Sequence, residues 1–536
     1  MPLRCRDLLL IAALAAYAAV LAFSAAAMAP TTDEPGHLVA GLYTWRSGRC
    51  SLYYVNPPLT KIIAAAPVML AGFEEDWRRT TSTPPARPEF NVGEQLVKAN
   101  GVRFFWLLTL ARWAMLTFSL LGAYICWRWG RELFGPASGW AALALWCGCP
   151  SILGHGALVT ADVPAAAVGV LTGYCGWRWL SAPTLDRALA LGLAIGLCCL
   201  VKLTWILWPL IGVAIWTFYA LTRRLPDGVT YWQGLQQLAA AGLVAWVTLI
   251  CGYAFEGLGT PLGEFQFTFS SLTGEPLRDR SPRSGNRFAG TWLGDFPVPL
   301  PSSFVYGIDA QRQDFEEQHD LYFAAERSRT GWWYFYLAAF GLKEPVGFLA
   351  LFVLSVAGWR SRVHVHDWVG LSLVWLPAAA VLALVSSQPA LNYYRYAIPA
   401  LPFVFVWTSQ VAGWIDGRHR LRSGVILALL AASVASGVAS VPHSISYVNE
   451  LGGGTWQGDR WFIDGNFDWG QDLFALRDWQ AAHPEATPLM VAYFGPCRPD
   501  LAGIQCIAPP ILLLQADERP ADYRTPPGWY ALSATM

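Results

Sequence analysis

Apolar runs long enough to cross a hydrocarbon core of about 30 Å recur along the chain. They fall near 8–28, 104–126, 138–154, 163–181, 188–203, 205–221, 235–255, 345–359, 368–386, 396–414 and 423–441. This pattern predicts an all-α polytopic membrane protein with about eleven transmembrane helices. The stretch 188–221 is too long for one span, and a lysine at mid-membrane is costly, so it reads as two spans broken at Lys202-Leu203-Thr204. The first run includes, near its end, Ala25-Ala26-Ala27, which also resembles the cleavage site of a signal peptide. Its length exceeds the 7–15-residue apolar core of such peptides and favours a span.

Polar sequence collects in three long segments, about 29–103, about 256–344 and 442–536. The first contains an apolar stretch, Leu59 to Gly72, opened by Pro57-Pro58. It is too short to span and predicts a helix lying in the interface plane. The tail alternates strand-like runs, Leu489 to Phe494 and Ile511 to Leu514, with turns, and predicts a small α/β module. The chain thus divides into a transmembrane domain, 1–441, with two external loops, and an external C-terminal module, 442–536. The absence of an internal repeat weighs against the inverted-repeat transporters.

Charge orients this arrangement. Only 14% of residues are charged, against roughly 25% in soluble domains. Arg4 and Arg6, Arg128 and Arg131, Arg178 and Arg187, Arg223 and Arg224, Arg360 and Arg362, and Arg418, Arg420 and Arg422 all fall on one side of an eleven-span chain. That side is cytoplasmic by the positive-inside rule, so the N-terminus is inside and the C-terminus outside. The 37 basic and 37 acidic side chains cancel, which excludes a nucleic-acid partner held by phosphate neutralisation. Among the eleven cysteines no metal-ligand spacing occurs, and most lie in apolar runs. Cys497 and Cys506 flank a loop with Pro499 and Gly503 on the oxidising side and are expected to form a disulfide.

Candidate chemistry gathers at the outer ends of the spans. Thr31-Thr32-Asp33-Glu34-Pro35-Gly36-His37 sets two acids and a histidine at the mouth of span one, and Thr160-Ala161-Asp162-Val163-Pro164 sets a further acid before span four. Each also reads as a helix start. Together, two carboxylates at one depth suit a shared general-base task or a bound divalent cation. Arg46, Arg49, Lys61, Arg112, Lys202, Lys343 and Arg395 are the basic residues at the outer boundary. They suit a lipid phosphate, which arginine grips bidentately and lysine as a point charge. Snorkelling accounts equally for Lys202 and Lys343. Arg395, inside Asn392-Tyr393-Tyr394-Arg395-Tyr396, fits snorkelling less well. Asp464-Gly465-Asn466-Phe467-Asp468 opens like a calcium loop but has Trp469 where glycine is required, so an Asx-turn cluster is expected instead.

In this order the motifs resemble those of GT-C fold glycosyltransferases, above all the protein O-mannosyltransferases and the aminoarabinose transferases acting on lipid A. The carrying residues are Asp33-Glu34, Asn56-Pro57-Pro58-Leu59, Leu110-Ala111-Arg112, Thr160-Ala161-Asp162, Leu342-Lys343-Glu344-Pro345 and Tyr394-Arg395-Tyr396-Ala397-Ile398-Pro399. The tail stretches Asn449-Glu450-Leu451-Gly452-Gly453 and Asn466-Phe467-Asp468-Trp469-Gly470-Gln471-Asp472 resemble a signature of bacterial, family-39-like members. The resemblance implies a sugar transferred from a polyprenyl-phosphate carrier to a lipid, glycan or protein acceptor at the periplasmic face of a bacterial inner membrane. It makes Asp33 the base, with Glu34 and Asp162 beside it, and Arg395, Lys61, Arg46, His37, Tyr394 and Lys343 the substrate-binding set. A transporter or flippase for a lipid-linked glycan is the rival class; it would spread polar residues through the spans, where here they collect at the outer ends.

Overall fold

The computed structural model describes residues 5–75, 87–222, 230–274, 284–316, 319–358, 368–388, 392–509 and 526–536. Arg4, Arg223, Arg224, Arg360, Arg362 and the run 511–514 lie outside them. Every predicted span is helical. In chain order the helices are α1 (Cys5–Ala27), α2 (Glu34–Ser47), α3 (Pro58–Ala71), α4 (Pro88–Asn100), α5 (Arg103–Phe134), α6 (Pro136–Cys147), α7 (Pro150–His155), α8 (Asp162–Ser181), α9 (Leu185–Val201), α10 (Leu207–Leu221) and α11 (Tyr231–Gly252). They continue with α12 (Ser270–Thr273), α13 (Ser302–Glu316), α14 (Phe335–Lys343), α15 (Val346–Ala357), α16 (Trp368–Ser386), α17 (Leu401–Thr408), α18 (Arg420–Ala439) and α19 (Leu473–Ala482).

Among the described residues four helices, α1, α5, α11 and α18, are long and apolar enough to cross a membrane. The α14–α15 pair, bent by 118°, makes a fifth if it is one span. Of the remaining predicted runs, α8 matches α18 in length but is less apolar, and the others are shorter or interrupted helices. The break expected at Lys202 is present, with an extended Lys202 followed by a 3₁₀ turn at Leu203–Ile206.

The bundle centres on α5, which packs against α1, α6 and α8, while α8 packs on α9 and α9 on α11. Its two ends differ. At one end Arg178 and Tyr174 of α8 meet Glu132 of α5 at 3.3 and 3.1 Å. At the other lie the close of α1, the start of α8 and Lys202 after α9, and here the acidic motifs assemble.

The predicted interfacial helix exists as α3 and packs on α2, which in turn packs on α4. Two glycines allow these approaches. A methyl group at Gly41 would run into the Lys61 carbonyl, and one at Gly93 would lie 2.8 Å from the Gly36 nitrogen. Two small sheets decorate this end. Strands β1 (Leu321–Phe323) and β2 (Glu326–Ser328) form a hairpin turned by Ala324 and Ala325, both at positive φ. Strands β3 (Leu489–Ala492), β4 (Cys506–Ile507) and β5 (Trp529–Leu532) form a parallel sheet in the order β4-β3-β5.

The expected disulfide is absent: Cys497 and Cys506 are both free thiols. Cys506 is held in register with Leu489 at the sheet edge. Cys497 is buried at 2% exposure near the charges of Glu34 and Arg112. Strand pairing and core packing carry the two sulfurs to different neighbours.

Candidate active site

The α1–α2 corner is built on a buried ion pair. Arg112 of α5 gives its Nε and Nη2 to the two Glu34 oxygens at 2.8 and 2.5 Å. Its remaining protons go to the carbonyls of Ala25, Met28 and Ala29 at 2.9, 2.7 and 2.9 Å. All five guanidinium donors are thereby used. Glu34 also accepts from the backbone of Thr31 and Val159 at 2.9 and 3.0 Å. Burial pushes the Glu34 carboxyl up, but Arg112 and these donors outweigh it and leave it below the usual carboxylate range. Glu34 faces inward with no exposure and does not join its neighbour Asp33 at an open surface, contrary to the acidic pair expected from sequence. Arg112 is likewise a post for this corner and has no donor left for a phosphate.

What the corner presents is Asp33, on the wall of a cavity of about 280 Å³. Arg395 donates from Nη1 to Asp33 Oδ2 at 2.9 Å and stands 3.9 Å from Asp162 Oδ2. Lys202 donates to Asp162 Oδ1 at 2.6 Å. Two carboxylates from separate loops therefore share one guanidinium, as the depth argument anticipated. Lys202 does not snorkel: it is buried against Asp162, with its ammonium 4.9 Å from the Tyr396 ring centre. The Arg395 plane lies 4.2 Å from the ring centre of Trp469 and 5.3 Å from those of Tyr393 and Tyr396, an aromatic cage that fixes its orientation.

The segment after 441 contributes directly. Trp469 arrives because Thr32 donates its N–H to the Trp469 carbonyl at 3.2 Å. Asp464, in the left-handed region at φ 52°, accepts from Tyr393 at 2.8 Å and is pinned through its own N–H to Thr535 at 2.8 Å. Strain of this kind in a non-glycine residue persists where its surroundings hold it. Burial raises the Asp464 carboxyl, in part offset by the Tyr393 hydroxyl and Arg395. The 464–468 stretch makes the Asx turns expected of it, Gly470 donating to Asp468 Oδ1 at 3.3 Å.

The other proposed binding residues divide. His37, one turn after Asp33 on α2, lines the cavity 3.5 Å from the Tyr53 hydroxyl, and burial, against the pull of Asp33, lowers its pKa to about 4. Tyr394 and Lys343 stand behind Arg395 around a small adjoining space. Tyr394 donates to the buried Glu344 at 2.8 Å, and Lys343 to the carbonyls of Ile445 and Asn466 at 2.8 and 2.7 Å. Lys343 is thus buried rather than snorkelling.

Lys61 is buried beneath the carbonyls of Tyr53 and Asn56 at 2.7 and 2.6 Å and holds that loop. Arg46, in the last turn of α2, lies away from the cavity with Glu75 at 3.7 Å. Neither lines the cavity, because each is spent on a nearer acceptor. Sequence reasoning missed Tyr393, Tyr396, Trp469, Asp464, Arg87, Gln311, Asp314 and His319, which do. The run of tyrosines around Arg395 was the one local signal available.

No group of three or more metal-ligating side chains occurs among the described residues, and the Asp33–Asp162 pair is already matched by Arg395 and Lys202.

The bundle as a whole has the GT-C fold. Two solved structures share it with this chain. ArnT from Cupriavidus metallidurans bound to undecaprenyl phosphate superposes with a TM-score of 0.50 at 14% identity, covering 93% of this chain and 85% of that one. The S. cerevisiae protein O-mannosyltransferase Pmt1-Pmt2 complex bound to the sugar donor gives 0.52 at 12% identity, covering 82% and 90%. No protein-family model and no curated protein sequence matches the chain.

Proposed function

We propose that this protein is an inverting membrane glycosyltransferase that moves a sugar from a polyprenyl-phosphate carrier to an acceptor hydroxyl on the non-cytoplasmic side. The observation that carries the reading is the convergence of Asp33 and Asp162 with Arg395 and Lys202 on one cavity wall. The undecaprenyl phosphate and sugar donor named for the two similar structures support it. Eleven spans with the arginine-bearing loops inside put this cavity at the outer face, periplasmic in a bacterial inner membrane.

In the proposed step the acceptor O–H gives its proton to the Asp33 carboxylate as its oxygen attacks the anomeric carbon. The bond to the carrier phosphate breaks with its electron pair leaving on that oxygen. Arg395 and Lys202 neutralise the departing phosphate. Arg395 is now spent on Asp33, so an arriving phosphate draws the guanidinium away. That exchange grips the leaving group and frees the Asp33 lone pairs together. Asp162 keeps Lys202 in place. Before the phosphate arrives each carboxylate faces a cation, and the proposed step uses side chains alone.

The test is sugar transfer from a synthetic polyprenyl-phosphate donor in nanodiscs. Asp33→Asn is expected to lower the rate by about 10²–10⁴ while carrier binding persists. A variant as active as wild type would remove Asp33 as the base. EDTA is expected to leave the rate unchanged; loss restored by added Mg²⁺ or Mn²⁺ would show that an ion takes part.

A further inference from the structure

The cavity lining includes a set of residues, its arm, that the phosphate chemistry does not use. Its walls come from the external loops: Tyr53, Asn56, Arg87 and Phe90 from the first, Gln311, Asp314 and His319 from the second. Arg87 joins the two loops, donating from Nη1 to both Asp314 oxygens at 3.1 and 2.9 Å and from Nε to Glu89. Asn56 spends one Nδ2 proton on the Tyr53 hydroxyl at 2.9 Å. Among the described residues Gln311, on α13, has no side-chain hydrogen-bond partner, and the helix carrying it is seated on the Tyr54 carbonyl through Gly307. The arm therefore combines a rigidly mounted amide without a side-chain partner among the described residues, a half-used amide and flat aromatic faces.

Building on the glycosyltransferase reading, we infer that this arm is the sugar subsite and that it takes a sugar without a carboxylate, its hydroxyls read by Gln311 and Asn56. Amides that both donate and accept match hydroxyl groups. The only cation of the arm among the described residues, Arg87, is already matched by two acids. Asp464 adds negative charge to the same cavity lining, so a uronic acid would enter against repulsion with no unmatched cation of the arm among the described residues to receive it.

Binding to full-length protein in nanodiscs separates this from the underlying reading. Three short-chain probes are compared: polyprenyl phosphate, polyprenyl-phosphate hexose and polyprenyl-phosphate hexuronic acid. Wild type is expected to bind the hexose form tighter than the bare phosphate, and the hexuronic form at least about tenfold more weakly than the hexose. Gln311→Ala is expected to weaken the hexose form about five- to tenfold and leave the bare phosphate unchanged, since Gln311 has no side-chain hydrogen-bond partner among the described residues. Equal affinity for bare and hexose forms, equal losses for both in Gln311→Ala, or tight hexuronic binding would each overturn the subsite. Failure to bind even the bare phosphate would overturn the carrier reading and the subsite with it.

Discussion

Arg395 is the residue on which most of the chemistry turns. With Lys202 it is one of the boundary cations whose acceptors line the cavity, whereas Arg112, Lys61 and Lys343 are consumed by carboxylate or carbonyl acceptors in the core. Its fork is oriented by three aromatic rings and faces two carboxylates. Arg395→Ala is expected to cost on the order of 1.5–3 kcal/mol of carrier binding, roughly ten- to a hundredfold, and Arg395→Lys to recover only part, since a point charge cannot reproduce the planar fork. Carrier affinities measured on variants with matched thermal melts check this. Unchanged affinity in Arg395→Ala would leave the residue a partner of Asp33 alone.

At the scale of elements, the decisive joint is where α1, α2 and α5 meet on Glu34 and Arg112. Neither side chain retains exposure above 1%. Removing one partner leaves an uncompensated buried charge, so Arg112→Met is expected to destabilise the protein by about 3–5 kcal/mol. A double variant, Glu34→Leu with Arg112→Met, should recover much of the loss. A single variant melting with wild type would show the corner to be held by packing. The pair also carries a pH signature. The folded Glu34 carboxyl lies below its unfolded value, so its contribution is complete above about pH 4.3 and is lost as pH falls through the folded pKa. Thermal melts between pH 3 and 6 should therefore fall at the acid end in wild type and less steeply in the double variant.

For the whole molecule, Asp33 in the turn between α1 and α2, Asp162 at the start of α8 and Lys202 after α9 lie together, and the Glu132–Arg178 cluster lies at the far ends of α5 and α8. The charge rule applied to the loops expects the first group outside and the second inside. Reporter fusions should place residue 500 outside and residue 224 inside. A cytoplasmic signal at 500 would overturn both the sidedness and the span number. The site itself spans the chain, since Asp33, Asp162, Arg395 and Trp469 come from four separate segments.

Much of this was legible before folding. Local hydrophobic patterning locates helices because a membrane demands an unbroken apolar face, and every run read as a span is helical. The motif order pointed to Asp33, Asp162 and Arg395, which the structure brings together. What local sequence could not decide is which charged residue spends its charge inside the fold. Asp33 and Glu34 are neighbours of the same chemical type, yet only tertiary structure turns one to the cavity and the other to Arg112. Lys202 and Lys61 likewise read alike along the chain and part company through partners 40 residues away in one case and 8 or fewer in the other. Cys497 and Cys506 are close in sequence, but a strand register and a buried pocket keep them unbonded. Helix formation answers to neighbours a few positions away, whereas the fate of a charge answers to the nearest acceptor in space, and that is set only when distant segments pack.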